Sequence, residues 1–280
     1  MKQSIVTVLV CLWMAVPATA GIYQLNGYLE GLPDGQVYLA RYEGTSYLVT
    51  DSTGALNGSF HFMLGDTDPA GMYRVYLQEP GQEGARYVEF IFHHESFEIY
   101  GEYPGVEETV RIVNSEENRV LEAFRVYENR YEEKMRVLQQ VFRQYPAMDT
   151  FMVATMEQFN KIQRERKEKI TELTQTYDTL FAAQIIDAYR SVFIPGELAE
   201  QGRVSYLRQH YFREAPIDNP ALVTTPVYHY RIIDYLMLYR DPSLGHREQE
   251  QAFMEAVDVI MANVAPVEEL RTYVTDYLIE

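Results

Sequence analysis

Any chemistry in this chain must come from a small set of side chains. His93-His94-Glu95 offers three metal-binding types in a row. Successive strand residues project to opposite faces, however, so the two imidazoles cannot easily share one ion. The tripeptide reads better as a strand end or turn. Asp66-Thr67-Asp68 presents two carboxylates, but Pro69 and Gly71 behind them mark a turn. His210, His229 and His246 fall on separate helical stretches, without the H-x-x-x-H or H-E-x-x-H spacing that lines up ligands on one helix face. No serine sits in a G-x-S-x-G elbow or an S-x-x-K pair, and no glycine-rich phosphate loop occurs. The expectation is no catalytic residue, no metal and no cofactor.

Cysteine usage sharpens this. Cys11 and Trp13 are the one cysteine and one tryptophan, and both lie in the first twenty residues. That stretch has Lys2, an apolar run from Ile5 to Val16 and then Ala18-Thr19-Ala20, the three-part pattern of a secretory signal peptide. The run is short for a membrane span, and no later stretch approaches its length. Cys11 lies inside the run rather than after small residues at its end, which argues against lipidation. Cleavage near Ala20 would leave a periplasmic chain without a thiol, and thiol catalysis would be excluded.

The elements that follow fall into two parts. The 280 residues carry 41 acidic and 24 basic side chains, a formal charge of −17; so acidic a chain lacks the basic surface that nucleic acid requires. Residues 21–113 read as β. Short alternating segments such as Gln36–Leu39, Ser59–Phe62, Tyr73–Leu77 and Tyr87–Phe92 are separated by turn signals at Pro33-Asp34-Gly35, Asn57-Gly58 and Pro80-Gly81. Seven or eight such strands predict a small antiparallel β-sandwich.

From Asn114 the period becomes helical. Asn114 is expected to cap, with Glu117 reaching back. A first helix carries Leu121, Phe124, Tyr131, Met135, Leu138 and Phe142 on one stripe, interrupted by Glu128, and ends at Pro146. A second is expected from Thr150 to about Phe193, roughly 66 Å long, with Gln163 and Arg166 interrupting its seam. The tight turn between them makes an antiparallel hairpin in which Glu128, Glu132 and Glu133 face Arg164, Arg166 and Lys167. Shorter helices follow over 203–212, 226–239, 246–264 and 267–279. The predicted class is α+β: a signal peptide (1–20), a β-sandwich (21–113) and a helical domain (114–280) containing a long antiparallel helical hairpin.

Two features invite a binding role. The 23 tyrosines cluster at Tyr206 and Tyr211 and at Tyr228, Tyr230, Tyr235 and Tyr239; they either form a sugar- or peptide-binding platform or border a core. Met148, Phe151, Met152 and Met156 gather at the hairpin turn. There they are expected either to meet a protein partner or to fold back onto the domain.

A resemblance adds to this reading. Tyr23-Gln24-Leu25-Asn26-Gly27, Gly31-Leu32-Pro33-Asp34-Gly35, Asp51-Ser52-Thr53, Asn57-Gly58-Ser59-Phe60 and Gly71-Met72-Tyr73 resemble an N-terminal β-domain of unknown function in exported TlpA-like thiol:disulfide interchange proteins. Asn114-Ser115-Glu116-Glu117-Asn118 looks like its junction. His210-Tyr211-Phe212, Asn219-Pro220-Ala221-Leu222 and Thr225-Pro226-Val227-Tyr228 resemble the helical domain that often follows it. In such proteins a thioredoxin domain with a C-x-x-C motif usually comes next, and here the chain stops at Glu280 without one. The resemblance therefore implies either an accessory form or the N-terminal half of a thiol:disulfide oxidoreductase. The leading expectation is an exported, non-catalytic module for protein binding, dimerisation or substrate presentation, with a protein partner or a homodimer and no membrane span. A periplasmic glycan- or ligand-binding protein is the alternative from the tyrosines.

Overall fold

The computed structural model describes residues 21–82, 84–145 and 149–279. The export segment with Cys11 lies outside the described residues, as does Met148 at the hairpin turn. Eight strands form the N-terminal part: β1 (Ile22–Glu30), β2 (Gly35–Glu43), β3 (Ser46–Ala55), β4 (Ser59–Gly65), β5 (Gly71–Tyr76), β6 (Tyr87–Phe92), β7 (Phe97–Glu102) and β8 (Arg111–Val113). They make two four-stranded sheets, ordered β4-β1-β7-β8 and β3-β2-β5-β6. Neighbours run antiparallel except β1 and β7, which are parallel.

Alternation drives the sandwich shut. Leu25 and Leu29 of β1, Phe60 and Phe62 of β4, Val37 and Leu39 of β2 and Phe90 and Phe92 of β6 all point into one buried core. Gly27 lets the Phe60 ring lie across β1, because a Cβ there would sit 2.0 Å from it. Asn57 and Gly58 take φ of 49° and 81°, the two left-handed positions of a two-residue hairpin turn between β3 and β4. The alternation pattern overlooks β3, since this edge strand is exposed on both faces along most of its length.

The helical part comprises a short α1 (Val106–Thr109), then α2 (Glu116–Gln144), α3 (Thr150–Thr176), α4 (Phe181–Asp187), α5 (Glu200–Glu214), α6 (Val227–Met237), α7 (His246–Ala262) and α8 (Glu268–Ile279). A 3-10 turn at Pro220–Thr224 precedes α6. The sandwich and the helices share one core. Tyr42, Met72 and Ile91, on the outer face of the second sheet, are buried with Val120, Leu121 and Phe124 of α2 and with Ile185, Tyr228 and Ile232. Gly71 seats the 3-10 turn on β5, since a Cβ there would lie 2.7 Å from Thr224.

Two local expectations need correction. The cap of α2 is Ser115, whose hydroxyl accepts from the Asn118 amide at 3.1 Å, while Asn114 adopts a left-handed φ of 63° just before it. The second helix is also shorter than its periodicity suggests. It ends at Thr176, about 40 Å along at 1.5 Å per residue. The chain turns at 177–180 and restarts as α4 because Glu117, sixty-four residues back, takes the Phe181 amide.

Candidate functional site

The junction between the two parts is built from buried polar groups. Asn118 mimics a strand against the edge of β6: its side-chain nitrogen donates to Ile91 O at 2.8 Å and its oxygen accepts from Ile91 N at 2.7 Å. Glu117 is 3% exposed and accepts from the amides of Phe181 at 2.9 Å and Ala182 at 2.6 Å, and its carboxylate lies 2.7 Å from His93 Nδ1. A carboxylate suits the first amides of a helix, whose dipole ends positive there. The Ser115 hydroxyl donates to Glu95. Burial raises the Glu95 carboxyl above its usual range, and that hydrogen bond pulls the other way.

A second network crosses the same interface. Glu89 of β6 accepts from Arg74 at 2.9 Å, Arg125 of α2 at 2.6 Å and the Tyr47 hydroxyl at 2.7 Å. The Arg74 guanidinium lies between the rings of Tyr47 and Tyr87, 3.8 and 3.9 Å from their centroids. Burial, with Glu89 beside it, raises the Tyr47 phenol above its ordinary value. These contacts fix the base of the hairpin against the sandwich.

Polar residues in the hairpin seam hold a backbone strap. Arg166 pairs with Glu128 through Nε at 2.9 Å and Nη2 at 2.5 Å, and also donates to Ser191 Oγ at 2.9 Å and Tyr189 O at 2.8 Å. The amide of Gln163 donates to Ile194 O and accepts from Ile194 N, both at 2.8 Å, and Asn160 accepts from Gly196 N at 2.8 Å. The non-helical segment 189–199 is therefore laced along α3. Gly196 is required for the close approach, because a Cβ would lie 3.0 Å from Met156 O. Of the opposed charges expected across the seam, Glu128 and Arg166 meet as a buried pair, whereas Lys167 turns to Glu214 at 3.3 Å.

The strap completes an apolar groove near the distal end of the hairpin. A cleft of about 370 Å³ is lined by Phe142 of α2 and Tyr145 just after it, Met152 and Met156 of α3, Leu198 of the strap, and Val204 and Leu207 of α5. Arg203 lies 4.0 Å over the Phe142 ring in its wall. Of the tip residues, Phe151 is 49% exposed and packs against Tyr145 with the rings tilted and their centroids 4.9 Å apart. Met152 is only 3% exposed and turns inward, and Met156 is partly buried. The groove residues after the strap escape sequence reasoning, because Pro195-Gly196 signals a break but not where the chain goes next.

Other candidates disperse. His94 Nε2 approaches Asp68 O at 3.1 Å while His93 meets Glu117, so the two histidines face different partners at the end of β6. Asp66 sits in the turn after β4, accepting from Gly21 N at 2.5 Å and the Tyr23 hydroxyl at 2.8 Å; these bonds lower its pKa. Among the described residues no three His, Cys, Asp or Glu side chains are placed to hold a metal. Tyr228 and Tyr235 are fully buried, with hydroxyls bonded to the backbone of Asn219 and Arg208 respectively, whereas Tyr230 is exposed and Tyr206 stacks on His210. Tyr235 thus serves the core, in ring contact with Tyr211 and Tyr239, while Tyr211 and Tyr230 line one cleft together with Tyr189. Arg231 is 6% exposed and donates to the carbonyls of Pro216 and Ala188, at the C-terminal ends of α5 and α4, where helix dipoles favour a cation.

No described helix is long and apolar enough to cross a membrane. A family model described as a domain of unknown function, DUF4369, matches residues 23–121. The match covers all eight strands and reaches Leu121, the turn of α2 that carries Glu117 and Asn118. No curated protein and no solved structure matches the chain.

Proposed function

We propose that this protein is an exported, non-catalytic module that holds protein chains, by apolar side chains, in the groove at the distal end of its helical hairpin. The groove itself carries the reading. It is concave and mainly apolar, it is lined by two methionines that can repack around different side chains, and Phe151 and Tyr145 extend its apolar character to the tip. A rigid support favours the same use. The Glu128–Arg166 pair and the Gln163 and Asn160 bonds fix the strap, so the groove exists before anything binds and little ordering is needed.

The residue-level resemblance to the region preceding a thioredoxin domain in TlpA-like proteins supports a place beside thiol:disulfide chemistry performed elsewhere. In that setting the groove would present an unfolded client to a redox partner. The DUF4369 match supports the β-domain half of that resemblance.

The test uses fluorescein-labelled, carboxymethylated lactalbumin, a permanently unfolded protein without free thiols. Anisotropy should show saturable binding to the chain. Val204→Asp, at an exposed position in the groove wall, should weaken it at least about tenfold, since burying a carboxylate against an apolar ligand costs more than 1.4 kcal/mol, with the melting temperature unchanged. Equal binding by wild type and variant would overturn the groove as the site.

A further inference from the structure

Charge is segregated along this molecule in a way that points to a second copy of the chain as a partner. The whole chain is −17 and residues 21–113 carry 14 carboxylates against four arginines. The distal hairpin, residues 134–164, reverses this: Lys134, Arg136, Arg143, Lys161 and Arg164 stand against only Asp149 and Glu157. Arg136 and Arg143, seven residues apart on one face of α2, are exposed and make no ion pair among the described residues. Exposed Tyr145 follows Arg143 by two residues, and exposed Phe151 packs on it at the tip.

The complement is on the sandwich. Helices cover its second sheet around Tyr42, Met72 and Ile91, but the outer face of the β4-β1-β7-β8 sheet is open. There Tyr28 and Tyr100 are register neighbours, and so are Glu30 and Glu102, two exposed carboxylates side by side without an ion-pair partner among the described residues. Adjacent like charges on a sheet repel, and an incoming cation relieves that repulsion. One surface is aromatic with cations; the other is aromatic with three carboxylates, Glu30, Glu98 and Glu102, against one exposed cation, Arg111, beside Tyr100.

Resting on the docking reading above, we infer that two copies associate about a two-fold axis, each placing the basic tip of its hairpin on the open, acidic sheet face of the other. A two-fold closes the assembly at a dimer and satisfies both surfaces of both copies. It also brings opposite charges together in a molecule whose net charge otherwise opposes self-association.

Sedimentation velocity on the purified full chain tests this. A dimer is expected at low salt that weakens at least tenfold between about 0.05 and about 0.5 M NaCl, as the Debye length shrinks roughly threefold. Arg136→Glu with Arg143→Glu should give a monomer, as should Glu30→Lys with Glu102→Lys. The fourfold variant carrying all four changes should dimerise again. A wild-type monomer at low salt, a dimer indifferent to the arginine reversals, or failure of the fourfold variant to recover overturns the inference. Val204→Asp should leave the dimer intact. If wild type is monomeric while Val204→Asp still loses lactalbumin, self-association falls and the groove stands.

Discussion

Removing Glu128 should strip the hairpin of its internal clamp, and the structure sets the size of the loss. Glu128 and Arg166 are both nearly buried and joined by contacts at 2.9 and 2.5 Å. Glu128→Ala leaves the guanidinium in the seam with Ser191 Oγ and Tyr189 O as its remaining acceptors. A buried charge stripped of its partner costs about 3–5 kcal/mol. Two surviving hydrogen bonds to charge offset part of this, so about 3 kcal/mol is expected. With a urea m-value near 3 kcal/mol/M for a chain of this size, the midpoint should fall by about 1 M. Glu128→Leu with Arg166→Met removes both charges. It should cost less than either single change, about 1–2 kcal/mol, because only the strap bonds are then lost. Urea unfolding followed by circular dichroism measures all of these. A Glu128→Ala loss below about 1 kcal/mol would show that water already solvates the pair, and the clamp argument would fail.

Three other outcomes follow from the same contacts. Glu117→Ala leaves the amides of Phe181 and Ala182 buried without an acceptor and should cost about 2–4 kcal/mol in urea unfolding, whereas a loss within 0.5 kcal/mol, the range of surface changes, would place that carboxylate in solvent. Glu95 holds its proton more tightly folded than unfolded, so its ionisation subtracts stability as pH rises through its raised folded value. The melting temperature of Glu95→Gln should therefore gain on wild type between about pH 4 and about pH 7, and a pH-independent difference would contradict the burial argument. Protein recovered from the periplasm should begin at or near Gly21 and leave insulin disulfides unreduced, since only a thiolate attacks them; an intact Met1, or turnover that copurifies with the chain, would refute export or inertness.

Much of this architecture is legible because it is local. Asn57-Gly58 marks its hairpin by the φ values only such residues adopt easily, and the period changes from two to three and a half where β8 gives way to α2. What escapes is set by distant partners. The periodicity of residues 170–184 favours an uninterrupted helix, and the break at Tyr177 exists because Glu117 waits for the amides at 181 and 182. Gln163 and Arg166 look like flaws in an apolar seam until the strap at 189–196 lies against them. The tip methionines show the same limit, since spacing places them at the turn but only the fold sends Met152 inward and leaves Phe151 outside.

Hydrogen exchange at each backbone amide, with and without saturating carboxymethylated lactalbumin and at salt high enough to hold the chain monomeric, tests the central claim most directly. Added protection should fall on residues 142–145, 149–156 and 196–207, the walls of the groove, and leave the β4-β1-β7-β8 sheet unchanged. Protection confined to the sandwich, or absent throughout while the client is bound, would contradict the groove as the place where this protein holds its partners.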